Sequence, residues 1–200
     1  MSRLRGAAAM LVLVALACAR TSPEQRAYVE DLMRSRTAKD RALQAPDGPL
    51  PPELRPRFKG LSYYPPRFDL VFEVALEPAA SADTVQFVTS QKTFDPYRRM
   101  GTFHWTHAGR EQQLTLFEAL DGGHLFLPFT DATSGSDTYG AGRYLDPEPL
   151  PGGTYRLDFN RAYNPYCAYG PHWTCPLSPP ENRLDFAVLA GERNFPLAGH

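Results

Sequence analysis

From Phe58 onward, short apolar alternations separated by turn residues follow one another, and this pattern narrows the possible folds most. Leu70, Phe72, Val74 and Leu76 alternate with Val71, Glu73, Ala75 and Glu77. Successive strand side chains point to opposite faces, so a period of two reads as a half-buried strand. Val85 and Phe87 begin the next, and Gly101–Thr106 a third, followed by a turn at His107–Arg110. Leu114, Leu116 and Phe117 come after it, then Asp121-Gly122-Gly123 as a hairpin signal answered by Leu125–Phe129. Further strands are expected at Tyr139–Leu145, Thr154–Phe159 and Leu184–Ala190. Roughly eight short strands imply a mostly β fold, an antiparallel β-sandwich or open barrel, formed as a single domain over residues 58–200.

The residues before it read differently. Residues 23–44 form a helix pattern, with Ser22-Pro23 suited to its start, acidic Glu24 and Glu30 early and basic residues crowding the later turns. Tyr28, Leu32 and Met33 supply only a narrow apolar stripe, so the helix lies on the surface or across the domain. Residues 45–57 hold five prolines and Gly48 and read as a linker or extended arm. Residues 19–57 are therefore the N-terminal helix and Pro-rich linker.

Arg3 and Arg5 precede an apolar run at residues 7–17, and Cys18 follows it directly. The run falls short of the roughly 20 apolar residues that span a bilayer and has the layout of an export signal. Residues 1–18 read as a lipoprotein-type signal ending at Cys18, the lipidated residue, although Ala15 stands where Leu is usual. Ordinary secretion and an uncleaved anchor are the alternatives. The implied location is the cell envelope, outside the cytoplasm, with the lipid anchor making the membrane a partner. The formal net charge of −1 lacks the basic excess that a nucleic-acid partner needs.

Cys167 and Cys175 remain as an even pair, which in an exported chain most simply forms a disulfide. Free buried thiols, or a metal site completed by His172, are the other readings. A second CxxC or an HxxxH is missing and structural zinc usually takes four protein ligands, so no metal is expected. No cofactor is expected either: GxGxxG and GxxxxGK[ST] are both absent from the sequence.

Polar residues of the kind that sites use gather in two stretches. Around residues 130–144 stand Asp131 at a strand end, Thr133, Tyr139 and Arg143. Residues 158–182 combine Asp158, Asn160, Arg161, Asn164, Glu181 and Asn182 with both cysteines, Trp173 and five prolines. Asp caps loops as readily as it serves catalysis, and Arg offers a planar fork for carboxylates in either setting. The two stretches thus read either as a ligand site or as a charge-paired structural network, packed together with Arg143 near Asp158. Ser134 lies outside any GxSxG, and the histidines lack HExxH spacing.

Several of these stretches resemble a bacterial family known as domain of unknown function 1684. The likeness runs through Phe58-Lys59-Gly60-Leu61, Phe129-Thr130-Asp131, Thr133-Ser134-Gly135 and Thr138–Leu145. It continues through Asp158–Pro165, Cys167, Cys175-Pro176, Pro180–Leu184 and Ala190-Gly191-Glu192, and covers about residues 55–195. The resemblance implies no assigned reaction and offers no catalytic residues to carry over. The function expected is therefore that of an exported lipoprotein binding a small molecule or a cell-envelope component. A hydrolase-like enzyme using Asp131 or Asp158 with Arg143, and a structural envelope lipoprotein, are the alternatives.

Overall fold

The computed structural model describes residues 21–81 and 83–198. Cys18 and the apolar run before it lie outside these residues. The helix α1 spans Pro23–Gln44 and opens with a capping box: Gln25 N donates to Ser22 Oγ, and Ser22 N to Gln25 Oε1. Two otherwise orphaned amides are satisfied this way. No helix among the described residues is long and apolar enough to cross a membrane.

Eight strands follow: β1 (Val71–Pro78), β2 (Thr84–Val88), β3 (Phe94–His107), β4 (Arg110–Ala119), β5 (Leu125–Phe129), β6 (Arg143–Leu145), β7 (Glu148–Pro149) and β8 (Thr154–Asp158). They form one antiparallel half-barrel sheet in the order β6-β5-β4-β3-β1-β8-β7, with β2 also paired to β3. The mostly β, open-barrel expectation is thus met. The 14-residue β3 organises the sheet. Its first half pairs with β2, its second with β1, and a register shift falls between Arg99 and Gly101. At that switch a side chain on Gly101 would meet Glu77 O at 2.2 Å, so only glycine lets β1 approach. The β3–β4 turn places Ala108 and Gly109 at positive φ, the two-residue geometry that suits strand twist.

The main core packs one face of this sheet, through Phe103, Leu114, Leu116, Leu127 and Phe129, against Phe159 and the Leu184–Ala190 segment. That segment is not the strand its composition suggested. Ala132 N donates to Phe186 O, but farther along the Val188 and Ala190 carbonyls accept from the Arg143 guanidinium. A side chain there takes the place of a neighbouring strand. Likewise only Arg143–Leu145 of the expected 139–145 strand is extended and paired, and the strand ending at Asp158 turns at once into a short 3-10 turn, Phe159–Arg161. The Pro-rich 45–57 stretch is also more than a linker. Leu50 and Leu43 pack with Phe58, Tyr169 and Phe195 in a core cluster of their own.

The helix docks with a mixed stripe. Leu32 and Leu43 are buried apolar contacts, while Tyr28, Arg36 and Lys39 on the same side reach polar partners in the β body. The apolar stripe looked narrow in the sequence because half of the helix interface is hydrogen-bonded.

Candidate functional site

The expected site residues separate into two centres. In the first, Asp131 leaves the end of β5 and meets Arg143 at the start of β6. Arg143 Nη2 lies 2.8 Å from Asp131 Oδ2, with side chains 0% and 1% exposed. The guanidinium also donates to the carbonyls of Val188, Ala190 and Glu192. Asp131 Oδ1 accepts from Thr133 N at 2.7 Å and Thr133 Oγ1 at 2.6 Å, and Thr133 Oγ1 is bonded to Thr138 Oγ1. The ion pair is thus closed off by its own protein partners. Both side chains are sealed from solvent, an arrangement suited to holding the fold. Tyr139 is half-buried and makes no side-chain hydrogen bond with this group; burial raises the pKa of its phenol.

The second centre lies where α1 crosses the turn after β8. Asp158 Oδ1 accepts from Asn160 N and caps the 3-10 turn. Its carboxylate also accepts from Tyr28 OH and, at 3.2 Å, from Arg161 Nε. Burial first, and then the charge of Asp158, push the Tyr28 phenol above its ordinary range. Arg161 reaches on to Asp31 of the helix. Asn160 uses its amide as a peptide mimic, taking Arg67 N at 2.7 Å and giving to Arg67 O at 2.8 Å. Asn182 does the same to Thr115 in β4. Both asparagines are fully used as backbone partners. Glu181 is exposed and pairs with Arg99. The expected charge pairing between the two stretches does not form: Arg143 takes Asp131, and Asp158 takes Arg161.

The residue that links the centres was quoted in the family resemblance but given no role. Glu192 offers its carbonyl to Arg143, while its side chain points to the helix side. Glu192 Oε1 meets Lys39 Nζ at 2.5 Å; Oε2 accepts from Asn164 N at 2.9 Å and from Tyr169 OH at 2.6 Å. Its position is fixed by the backbone. Glu192 N donates to Ala162 O and Tyr64 N to Gly191 O, and Gly191 has φ +74° with no room for a side chain against Ala162 O. Burial, and then the Glu192 charge, push the Tyr169 phenol far above its usual range.

Between α1 and this clamp lies a cavity of about 250 Å³, lined by Arg36, Lys39, Tyr63, Asn160, Arg161 and Glu192, with Ser35 and Asp146 at its sides. Tyr63 OH and Arg36 Nε are buried there without hydrogen-bond partners. Burial lowers the Arg36 pKa from its ordinary value, opposed by nearby charges including Glu192 and Asp158. A wider groove of about 580 Å³ shares Lys39, Asp146 and Tyr163 with the cavity and continues over Tyr144, Tyr166 and Cys175. Cys167 and Cys175 are disulfide-bonded, with Cα atoms 6.2 Å apart, and His172 has no thiolate left to share. Among the described residues no cluster of His, Cys, Asp and Glu is placed to hold a metal ion.

Of the expected site residues, only Asn160 and Arg161 line the cavity itself, while Asn164 lines the groove beside it. Arg36, Lys39, Asp146 and Glu192 went unassigned in the sequence.

The family model described as Protein of unknown function (DUF1684) matches residues 56–193. The chain belongs to that family. A solved relative, the solution NMR structure of an uncharacterized protein from Haloarcula marismortui, is 36% identical. The match covers 85% of this chain and 96% of that one, with a TM-score of 0.66. That organism is an archaeon, whereas the sequence resemblance was to a bacterial family. No curated protein matches the chain.

Proposed function

We propose that the protein is an exported, lipid-anchored domain that binds a small molecule or a cell-envelope component in the cleft beneath α1. The observation that carries this reading is the contrast in polar saturation within the cleft. Buried polar groups are almost always satisfied by protein or ordered water. In the cleft a phenol and a guanidinium nitrogen are buried with no protein partner at the wall of one cavity. Convergent polar groups in a pre-formed concavity are the usual anatomy of a small-ligand site. The aromatic groove next to it gives a larger ligand somewhere to lie, since tyrosine rings offer apolar faces with polar tips.

Export and anchoring are supported by the apolar run ending at Cys18 and by the disulfide, a bond that persists in oxidising compartments. Cys18→Ser is expected to release the protein from the membrane fraction; unchanged retention contradicts the anchor. For binding, a thermal-shift screen with sugars, peptidoglycan fragments and small organic acids is expected to yield a ligand that raises the melting temperature. A ligand present at 100 times its Kd stabilises the native state by about 2.7 kcal/mol. If no compound raises it, or if the rise survives replacement of the cleft residues, the binding reading fails. The structural alternative applies to the Asp131–Arg143 centre, whose bonds are all internal to the chain.

A further inference from the structure

We infer that the cleft beneath α1 is an anion site whose ligand carries a carboxylate, held between Arg36 Nε and the Tyr63 hydroxyl. This rests on the binding reading above and adds the chemistry of the ligand.

The argument begins with the charge of Arg36. The residue is 8% exposed, and its two terminal nitrogens donate to the carbonyl oxygens of Tyr64 and Asn160. Neither partner carries a net charge. Among the described residues no carboxylate forms an ion pair with this guanidinium, although the other cations of the cleft each have one. Lys39 holds Glu192, and Arg161 holds both Asp158 and Asp31. The guanidinium also stacks on the Tyr63 ring, 4.3 Å from its centre. A buried cation with only neutral partners is a costly arrangement, and it becomes favourable when an anion enters. Nε is the one guanidinium nitrogen with no partner at all.

The second donor is Tyr63. Burial, then the charges of Glu192 and Asp40, hold its phenol well above the ordinary tyrosine range, so it keeps its proton at neutral pH. The Glu192 carboxylate lines the same cavity, but its oxygens accept from Lys39, Asn164 and Tyr169, and the Tyr63 hydroxyl is buried without a hydrogen-bond partner. Two unused donors match the two oxygens of one carboxylate. A phosphate dianion fits poorly. Glu192 and Asp146 line the same cavity and repel its second charge. A neutral sugar would leave the Arg36 charge unmatched.

The test titrates acetate, lactate and glucuronate into the full chain, each against sodium chloride at equal ionic strength, with glucose and inorganic phosphate alongside, following the melting temperature. At least one carboxylate is expected to raise it saturably, with glucose inert and phosphate weaker. Tyr63→Phe removes a hydroxyl that has no partner in the folded protein, so its own melting temperature should stay close to the parent's. Its carboxylate affinity should fall about tenfold or more, the loss expected for a hydrogen bond to a charged group. The inference is overturned if none of the three carboxylates acts, if glucose or phosphate acts as strongly, or if Tyr63→Phe binds a carboxylate as tightly as the parent. A neutral ligand found in the wider screen would leave the binding reading standing while removing the anion.

Discussion

Arg143 and Arg36 are both buried, and each leaves its Nε without a partner. Their surroundings differ in counter-charge and in space. Arg143 has the carboxylate of Asp131 opposite it, three carbonyls around it and the Phe129 ring 5.3 Å from its guanidinium carbon. Arg36 has two carbonyls, an aromatic ring and a cavity. A buried charge matched inside the chain holds the chain together. A buried charge left unmatched beside a cavity points to something that arrives from outside. An orphaned nitrogen alone does not distinguish the two; the missing counter-charge and the space do.

The largest expected effect breaks the closed centre. Arg143→Ala strands Asp131 without its counter-ion and should cost about 3–5 kcal/mol in urea unfolding. Arg36→Ala removes an unmatched charge together with two carbonyl bonds, and should cost only about 1–2 kcal/mol. Equal losses would erase the distinction between the centres. Next comes the cross-link on the groove side. Replacing Cys167 and Cys175 together by Ser should cost about 2–3 kcal/mol on the chain-entropy account of a short loop.

Tyr169→Phe sharpens the contrast at Glu192. It removes one of three donors from a buried carboxylate and should cost about 1.5–3 kcal/mol at neutral pH. It should also change the alkaline limb. The unfolded phenol titrates near its ordinary value of 10.0, while burial and Glu192 keep the folded one protonated well above that. Above pH 10 the unfolded chain therefore holds fewer protons than the folded chain, and stability falls as pH rises. Tyr63, Tyr144 and Tyr163 are shifted the same way, chiefly by burial. Urea midpoints from pH 8 to 11 should be flat, then decline, and decline less steeply in Tyr169→Phe. The smallest effect belongs to Glu181→Ala, which breaks an exposed pair with Arg99 and should cost under about 1 kcal/mol.

Much of the frame was legible before the structure. The helix from Pro23 to Gln44 follows from its cap and charge order, and the alternation at Leu70–Leu76 and the turn at His107–Arg110 needed only local chemistry. The 184–190 segment misled because its apolar residues are core residues, as a strand's would be, while its carbonyls are claimed by an arginine some 45 positions earlier. The same holds for the cleft. Arg36 and Lys39 look like ordinary helix surface, Tyr63 like a loop aromatic, and Glu192 like the end of a turn. Only the fold brings them to one cavity. Two signals were present. Reading the helix stripe for polar as well as apolar residues aligns Tyr28, Leu32, Arg36, Lys39 and Leu43 at helical spacing. A glutamate directly after Gly191, inside a stretch shared with the family, marks a carboxylate held by a constrained backbone.

The claim that the cleft works and the Asp131–Arg143 centre only holds the fold is tested most directly by an amide NMR titration with whichever compound the thermal-shift screen returns. The account predicts saturable shifts at Ser35, Arg36, Tyr63 and Glu192, with Asp131 and Thr133 unmoved. Shifts concentrated at Asp131, Thr133 and Arg143, with the α1 cleft silent, would contradict it.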